Sequence, residues 1–389
     1  MNLDPGSVKR ATLSPVLRIA SVRHDHAHAI RALADKMGTD DLDLVVLLVT
    51  PQADSDHLIA EASRCFTGAT VVGCTTAGEI SQRGYAEGEI VAIGFPSTHF
   101  HTQTTLLPNL SDYDAQALID RMIQSRHDLR LTHPARPHEF NFMLIDGLST
   151  LEDKLTSDLA VGLGPVPLFG GSAGDGDTFG ETFVLHQGRA YTNAAVLVQV
   201  RTDCPVKVFK TDHFLPTDRR MVVTGADPAR RIVHEINAEP AAREYARILG
   251  KDPEQLTPFT FAAHPVVVRI GGQHHVRSIQ QINDSGDLQF FSAIDEGLVL
   301  TLAEARDMVE HLDAELSALA DPMPPSVILG CDCFLRRLEA QENQVTGALS
   351  ALLRTHRVVG FSTYGEQFNS MHVNQTLTGV AIYPPEGAE

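Results

Sequence analysis

The stretch VVGCTTAGE, residues 71–79, recurs in altered form as LFGGSAGDG at 168–176 and as VVGFSTYGE at 358–366. Each copy has an apolar pair, a glycine, a spacer, a Ser or Thr, and a small-residue turn that closes on a glycine and an acid. Glycine permits positive φ and a close approach of a backbone or a ligand, and free N–H groups in such a turn can bind an anion. The three copies predict either plain tight turns or a surface on which at least one turn binds a ligand.

The segments around each copy repeat as well. An apolar run comes first (42–50, 140–146, 326–332), then a helical pattern (55–66, 151–163, 346–356), and after the glycine turn another apolar run (89–95, 194–200, 377–384). Long Val, Ile and Leu runs are typical of strands buried on both faces, and the Leu and Ala spacing between them is typical of a crossover helix. The pattern predicts an α/β fold of repeated β-α-β units in mixed sheets with glycine-rich turns.

Residues 201–324, between the second and third copies, have a different pattern. Short alternating strands surround the helical segment 240–250, and a long amphipathic helix is predicted from about Leu302 to Ala320. This order indicates an α+β module with an antiparallel sheet, so the fold class is α/β (α+β) with an α+β C-terminal domain.

Bulk composition excludes several classes of protein. Of 389 residues, 43% are hydrophobic and 21% charged, which is typical of a globular chain. The net charge of -18 repels a phosphate backbone, so we expect no nucleic-acid partner. The start of the chain lacks the pattern of a signal peptide, and no run approaches the roughly 18 apolar residues of a membrane span. We expect a cytoplasmic protein with no membrane partner.

The five cysteines are an odd number scattered along the chain, and this predicts reduced thiols instead of a disulfide framework. Cys331 and Cys333 form a C-x-C pair, but no second Cys/His pair stands at zinc-site spacing. The string His24, His26 and His28 is interpreted as a solvated helix start, where His24 and His28 would share a face.

Four ordered motifs together resemble the FIST family of bacterial sensory proteins, with an N-terminal and a C-terminal FIST domain. They are VVGCTTAGEI, FGGSAGDG followed by AAVLVQV, RMVVTGADPARRIVHEINAEPAAREYA, and GFSTYGEQ followed by HVNQTLTG. The resemblance covers about residues 20–383, and we place the FIST N-terminal domain at 20–225 and the FIST C-terminal domain at 226–384.

The resemblance implies a sensor of small ligands that signals through partner proteins and is not an enzyme. A stand-alone chain of this kind is similar to the subgroup of nitric-oxide-sensing haem proteins, which act on a histidine kinase or a cyclic-di-GMP enzyme. It therefore implies haem b as the cofactor and a gas as the ligand. No motif carries the iron ligand to a numbered position, and homodimer formation stays open.

Candidate pocket residues come from their surroundings in the sequence. A haem pocket needs an imidazole on an apolar wall, and His213, His264 and His372 each stand beside apolar or glycine-rich segments. His213 precedes Phe214 in a segment between domains and is the preferred metal ligand. The simpler interpretation of all three is a structural histidine.

Anion contacts and catalytic motifs complete the prediction. Arg277, Arg336 and Arg337 offer planar guanidinium groups for a carboxylate, and Tyr364 and Glu366 are candidates for the pocket wall. The catalytic and phosphate-binding motifs that we sought, such as G-x-S-x-G and the P-loop, are absent from the sequence. The alternatives to a haem sensor are a sensor of another small ligand such as an amino acid, an interaction scaffold, and an uncharacterised enzyme.

Overall fold

The first glycine motif, residues 71–79, begins within the second strand of a β-α-β unit. The computed structural model describes residues 16–386. The first repeat consists of β1 (Arg18–Arg23), α1 (Ala29–Met37), β2 (Leu42–Val49), α2 (Ser55–Cys65), β3 (Thr70–Thr75), β4 (Glu79–Ser81), β5 (Gly84–Ala86) and β6 (Glu89–Pro96). Strands β2 and β3 pair in parallel, β4 and β5 form a short hairpin, and β6 returns antiparallel to β2.

The second repeat has the same order of elements. It consists of β7 (Phe100–Leu107), α3 (Ala115–Thr132), β8 (His138–Ile145), α4 (Glu152–Leu163), β9 (Leu168–Ser172), β10 (Val184–His186), β11 (Arg189–Tyr191) and β12 (Ala195–Thr202). Strands β8 and β9 are parallel and β12 is antiparallel to β8, as in the first repeat.

The third repeat begins with β13 (Val206–Thr211) and is interrupted by a module that has its own apolar core. The module consists of β14 (Phe214–Asp227), β15 (Ile232–Ile236), β16 (Glu239–Pro240), α5 (Ala241–Leu249), α6 (Pro258–Ala263), β17 (Val266–Ile270), β18 (Gln273–Arg277), β19 (Ile279–Ile282), β20 (Leu288–Phe290) and β21 (Val299–Ala305), with 3-10 turns at Pro228–Arg230 and Pro253–Gln255. Its strands pair antiparallel, which confirms the predicted α+β module.

The predicted long helix from Leu302 to Ala320 is wrong at its start. Residues 299–305 form β21, which pairs with β14 and β17, and the helix α7 spans only Met308–Ala318. Asp307 caps this helix by accepting the backbone N–H groups of Val309 and Glu310, so the chain changes from strand to helix at this residue.

The third repeat then continues with two crossover helices where one was predicted. It consists of β22 (Val327–Cys333), α8 (Phe334–Glu342), α9 (Thr346–Thr355), β23 (Val358–Thr363), β24 (Glu366–Phe368), β25 (Met371–Val373) and β26 (Leu377–Ile382). Strands β22 and β23 are parallel and β26 is antiparallel to β22, so the prediction of three related β-α-β units is confirmed.

The three repeats exchange their hairpins in a cycle. The β4–β5 hairpin of the first repeat extends the sheet of the third, β10–β11 of the second extends the first, and β24–β25 of the third extends the second. The resulting six-stranded sheets have the orders β1-β6-β2-β3-β10-β11, β25-β24-β9-β8-β12-β7 and β13-β26-β22-β23-β4-β5. Each sheet is therefore completed by another repeat.

The inner faces of the three sheets meet in one apolar core, and helices cover the outer faces. The central core contains side chains from all three sheets, including Phe95, Phe142, Phe169 and Phe361. Separate apolar layers join α1 and α2 to the first sheet, α3 and α4 to the second, and α7 and α9 to the third. Among residues 16–386, no helix combines the length and the apolar character needed to cross a membrane.

The glycine shared by the three motifs lies inside the second strand of each unit, not after it as the sequence suggested. A Cβ added to Gly73, Gly170 or Gly360 would lie 2.1 Å, 2.3 Å or 1.8 Å from a carbonyl oxygen of the neighbouring first strand. Real Cβ atoms do not approach backbone so closely, so these glycines permit a close strand contact and do not contact a ligand.

Candidate ligand site

The three glycine turns contact one another in a ring. The backbone N–H of Ala77 in the first turn donates to the Ser362 carbonyl at 2.9 Å, Tyr364 in the third donates to Ser172 at 3.2 Å, and Gly174 in the second donates to Thr75 at 3.1 Å. The sequence-related segments therefore form one surface at the carboxyl ends of the parallel strands.

In the first copy, and again in the third, the threonine hydroxyl pairs with the acid of the same copy. The Thr76 hydroxyl donates to Glu79 at 2.5 Å, and the Thr363 hydroxyl donates to Glu366. Burial raises the pKa of Glu79 to about 7 and that of Glu366 to about 8, although their hydrogen bonds oppose the rise. Glu366 also accepts the backbone N–H of Thr376 at 3.2 Å. These acids hold the start of each hairpin and do not face a ligand.

The second copy uses its acid differently. Asp175 accepts the backbone N–H groups of Phe179, Gly180 and Glu181 at 2.7–2.9 Å and contacts the Tyr364 hydroxyl of the third copy. The Tyr364 ring packs beside Phe179, with ring centroids 4.7 Å apart. Burial and the Asp175 contact raise the pKa of Tyr364 above its ordinary value, so this phenol stays protonated.

A cleft of about 320 Å³ opens beside the first glycine turn. Its walls come from the segment after β2, the first turn, the end of the β4–β5 hairpin, the second turn and α8. The lining residues are Thr50, Pro51, Gln52, Thr76, Ala77, Gly78, Glu87, Gly88, Gly176, Asp177, Phe334, Arg337, Leu338 and Gln341. The α8 residues among them have the spacing i, i+3, i+4 and i+7, so one face of this helix forms a wall.

Arg337 is the buried cation of this cleft. The residue is 4% exposed, and its Nη2 donates to the Ala86 carbonyl and to Glu87 Oε1, each at 3.0 Å. Its guanidinium lies over the Tyr85 ring, 5.2 Å from the centroid. The buried Nη1 has no hydrogen-bond partner among the described residues. An unsatisfied buried N–H of a cation is costly, so this atom marks a place for an anionic acceptor.

Gly78 lets the guanidinium reach the turn. A Cβ at this position would lie 2.0 Å from Arg337 Nη1, and the φ of +124° already disfavours any other residue. The exposed acids Glu87 and Asp177 stand on the rim, while Phe334 and Pro51 supply apolar surface. A buried cation, acids at the rim and an apolar wall suit a small molecule that carries both a carboxylate and an ammonium group.

A second cleft of about 640 Å³ adjoins the first across Thr50, Pro51 and Gln52. It continues along the N-terminal end of α2 and past Asp175 and Thr178 of the second turn. The segment after β2 therefore lies between the two clefts.

Four of the six predicted site residues lie around the third hairpin. Tyr364 and Glu366 lie on either side of Gly365, where a Cβ would lie 2.2 Å from the His372 ring. Arg277 Nη1 donates to the His372 carbonyl at 3.2 Å, and burial lowers the pKa of the Arg277 guanidinium. The Arg277 guanidinium is buried where the third hairpin contacts the inserted module, and it does not line either cleft.

His213 belongs to a separate buried network. Its Nε2 lies 2.8 Å from Glu339 Oε1 and its Nδ1 lies 3.1 Å from Arg336 Nη1. Arg336 in turn donates to Asp332 Oδ1 at 2.8 Å through Nε. The side chains of His213 and Glu339 are 0% and 3% exposed. The sequence suggested Arg336 as a contact for a ligand carboxylate, whereas in the structure its guanidinium pairs with the carboxylate of Asp332.

The structure changes the interpretation of the histidine string and locates the C-x-C pair. Helix α1 begins at Ala29, so His24, His26 and His28 precede the helix and do not share a helical face. Cys331 and Cys333 are buried in β22, where burial raises the thiol pKa well above its ordinary value.

The three candidate histidines do not fit haem as they are arranged. Haem needs a free imidazole nitrogen beside an apolar space of porphyrin size. Both ring nitrogens of His213 are hydrogen-bonded, and the ring of His372 abuts Gly365 too closely to admit even a methyl group. His264 is half-buried at the end of α6 and lines neither cleft. We therefore derive no chemistry through a haem group.

Residues of the cleft that sequence reasoning missed include Thr50, Gln52, Phe334 and Gln341. The spacing of the last two with Arg337 and Leu338 would have marked one face of a helix, but only if α8 had been predicted.

Comparison with known protein families divides the chain into two matching parts. The family model of the FIST N domain matches residues 43–239, and that of the FIST C domain matches residues 241–369. A search of curated proteins finds no match. The first match contains β2 to β16 and thus the first two glycine turns, and the second contains α8 and the third turn.

Proposed function

Because the chain belongs to the FIST family of small-ligand sensory domains, we propose that it senses a small carboxylate-bearing molecule, best an amino acid, in the Arg337 cleft. The observation that carries this proposal is the buried Arg337 Nη1, which lacks a hydrogen-bond partner in the described part of the chain. A ligand carboxylate would satisfy this donor, and an ammonium group would face the rim acids Glu87 and Asp177.

The proposal is for binding and not for catalysis. The two threonine hydroxyls of the cleft are engaged, that of Thr76 with Glu79 and that of Thr50 with Gln52. The buried thiols of Cys331 and Cys333 keep their protons because burial raises their pKa. These features support a recognition site, since no activated nucleophile faces the cleft among residues 16–386.

Signal output is proposed to pass to a separate cytoplasmic partner, a histidine kinase or a cyclic-di-GMP enzyme. Helix α8 carries Arg337 toward the cleft and Arg336 toward His213, which immediately precedes the inserted module, and α6 of that module packs on α8. A ligand that pulls on Arg337 would therefore bias the contact between α8 and the module. Such a switch requires the partner to bind the two states with different affinity.

Calorimetry with the amino acids tests the ligand. We expect one to bind the wild type and to lose affinity by more than about thirtyfold in Arg337→Ala, because truncating one partner of a buried charge pair costs about 2–5 kcal/mol. The matched control is Arg243→Ala, which removes an exposed arginine of α5. Gly78→Ala should also abolish binding, whereas Gly68→Ala, whose Cβ meets nothing within 4 Å, should not.

Two results would contradict the proposal. Binding that survives Arg337→Ala would remove the ligand from this cleft. Uptake of haem with a strong Soret band that shifts on exposure to nitric oxide, with no heat from any amino acid, would restore the haem prediction. For the partner, equal autophosphorylation of the kinase with the ligand-free and the ligand-bound protein would exclude control of that kinase.

A further inference from the structure

Three metal-binding side chains converge at the opposite end of the sheets from the glycine turns. His99 lies between β6 and β7, and Asp203 and Cys204 lie between β12 and β13. One atom of each side chain, the His nitrogen, the carboxylate oxygen and the thiol sulfur, lies within 4.8 Å of the other two. These links are the points where the chain passes from the first repeat to the second and from the second to the third.

We propose that His99, Asp203 and Cys204 bind a zinc ion, with water as the fourth ligand. Asp203 Oδ1 is 3.1 Å from His99 Nδ1 and 3.6 Å from Cys204 Sγ. Two donor atoms about 2.1 Å from a tetrahedral ion lie roughly 3.4 Å apart, so both distances are already those of a zinc coordination sphere. Nitrogen, oxygen and sulfur ligands together match the preference of zinc.

Solvent access agrees with this assignment. The side chains of His99 and Asp203 are 22% and 34% exposed, so an ion and its water reach the site from solvent, while Cys204 is fully buried on the inner side. Arg136 approaches the other carboxylate oxygen, Oδ2, at 3.9 Å, and its guanidinium is held by the carbonyls of Ser97 and Thr98. His99 Nδ1 lies 3.1 Å from Oδ1 and 3.3 Å from Oδ2 of Asp203, so this imidazole faces both carboxylate oxygens.

Binding exchanges protons for the ion. Without metal, the Cys204 thiol donates toward Asp203 Oδ1. Zinc binding releases this proton to solvent and holds the thiolate, and His99 binds through Nδ1 with its proton on Nε2. The bound ion joins the links between successive repeats.

Cobalt(II) titration of the metal-depleted full chain tests the site. We expect one ion per chain, a thiolate-to-cobalt band in the near ultraviolet with intense visible bands of tetrahedral cobalt, and displacement by zinc. Cys204→Ser should lose the thiolate band, and His99→Gln and Asp203→Asn should weaken binding by more than about tenfold. If Cys204→Ser does not fold, the variants at the partly exposed His99 and Asp203 still test the metal site.

Two control variants keep the result specific. His133→Ala removes a ring that stacks on His101 at 3.5 Å near the site without belonging to it, and it should bind cobalt normally. Replacing His24, His26 and His28 together with alanine removes the partly buried and exposed rings of the histidine string and should also leave the spectrum unchanged. Absence of cobalt binding, a cobalt spectrum without a thiolate band, or a spectrum lost only in the triple variant would overturn the proposal.

Discussion

Replacing Glu366 with glutamine should stabilise the protein relative to the wild type, by an amount that grows as the pH increases. The Glu366 carboxyl is fully buried, its Oε1 accepts the Thr363 hydroxyl, and its Oε2 meets the N–H and hydroxyl of Thr376. The side-chain amide of glutamine can keep the hydrogen bonds to both threonines, with its oxygen toward Thr376 and its NH₂ group toward Thr363. Glu366→Gln therefore mimics the protonated acid and cannot ionise.

The magnitude follows from the pKa. Burial raises the pKa of Glu366 to about 8 from its ordinary value of 4.5. The folded state thus binds a proton that the unfolded state releases, so this stability is fully present below pH 4.5 and is lost as the pH rises through 8. At 1.36 kcal/mol per pH unit the whole effect is about 5 kcal/mol, of which roughly half falls between about pH 6 and pH 9.

Urea unfolding of wild type and Glu366→Gln at several pH values between these limits measures this difference. The free energy of unfolding of the variant minus that of the wild type should grow by roughly 2–3 kcal/mol toward the alkaline end. Glu254→Gln, a change at an exposed glutamate, should show a difference that does not vary with pH. A constant difference for Glu366→Gln as well would refute the reasoning, because it would mean that the acid is ionised throughout.

Two further substitutions test the strand contact and the buried ion pair. Gly360→Ala should destabilise by more than about 4 kcal/mol in thermal unfolding, because its Cβ would lie 1.8 Å from a carbonyl oxygen of β22, whereas Gly347→Ala meets open space and should be tolerated. Asp332→Asn should lower the free energy of unfolding by about 3 kcal/mol, because it leaves the buried Arg336 guanidinium without its carboxylate partner at 2.8 Å. Asp158→Asn, which alters the more exposed pair with Lys154, should lower it by less than about 1 kcal/mol. If Gly360→Ala and Gly347→Ala destabilised the protein equally, the argument from the strand contact would be wrong. Equal destabilisation by Asp332→Asn and Asp158→Asn would contradict the argument from the buried ion pair.

The repeated strands could be predicted because burial on both faces requires long apolar runs, as in β2 and β22. The hairpins could not, since strands of three residues such as β4 and β24 carry too little alternation to show a partner. Their exchange between repeats depends on contacts between distant segments, which no local pattern records. Three similar motifs indicated three similar units but did not indicate how the units are joined.

The candidate site was only partly predictable for a related reason. Arg337 was identified as an anion contact from its residue type, but α8 was overlooked because polar residues occupy its buried positions. Arg336 and Glu339 are 2% and 3% exposed, so the helix lacks the apolar periodicity by which a buried face is recognised. Their burial is tolerated because each has an oppositely charged or imidazole partner, and the identity of that partner is visible only in the fold.

The cyclic exchange of hairpins also affects how the protein is made. The β4–β5 hairpin is synthesised early, yet Ile80 pairs with Gly360, and Tyr85 donates its N–H to Ser350 at 3.2 Å. At the usual pace of translation the partner strand reaches the ribosome exit on the order of tens of seconds later. During that interval the hairpin presents an unpaired strand edge, and in its earlier part, until the second repeat is complete, the first sheet also lacks the strands β10 and β11. Nascent chains are therefore most prone to join edges with one another before the third repeat emerges, and chaperones that shield strand edges matter most in that interval.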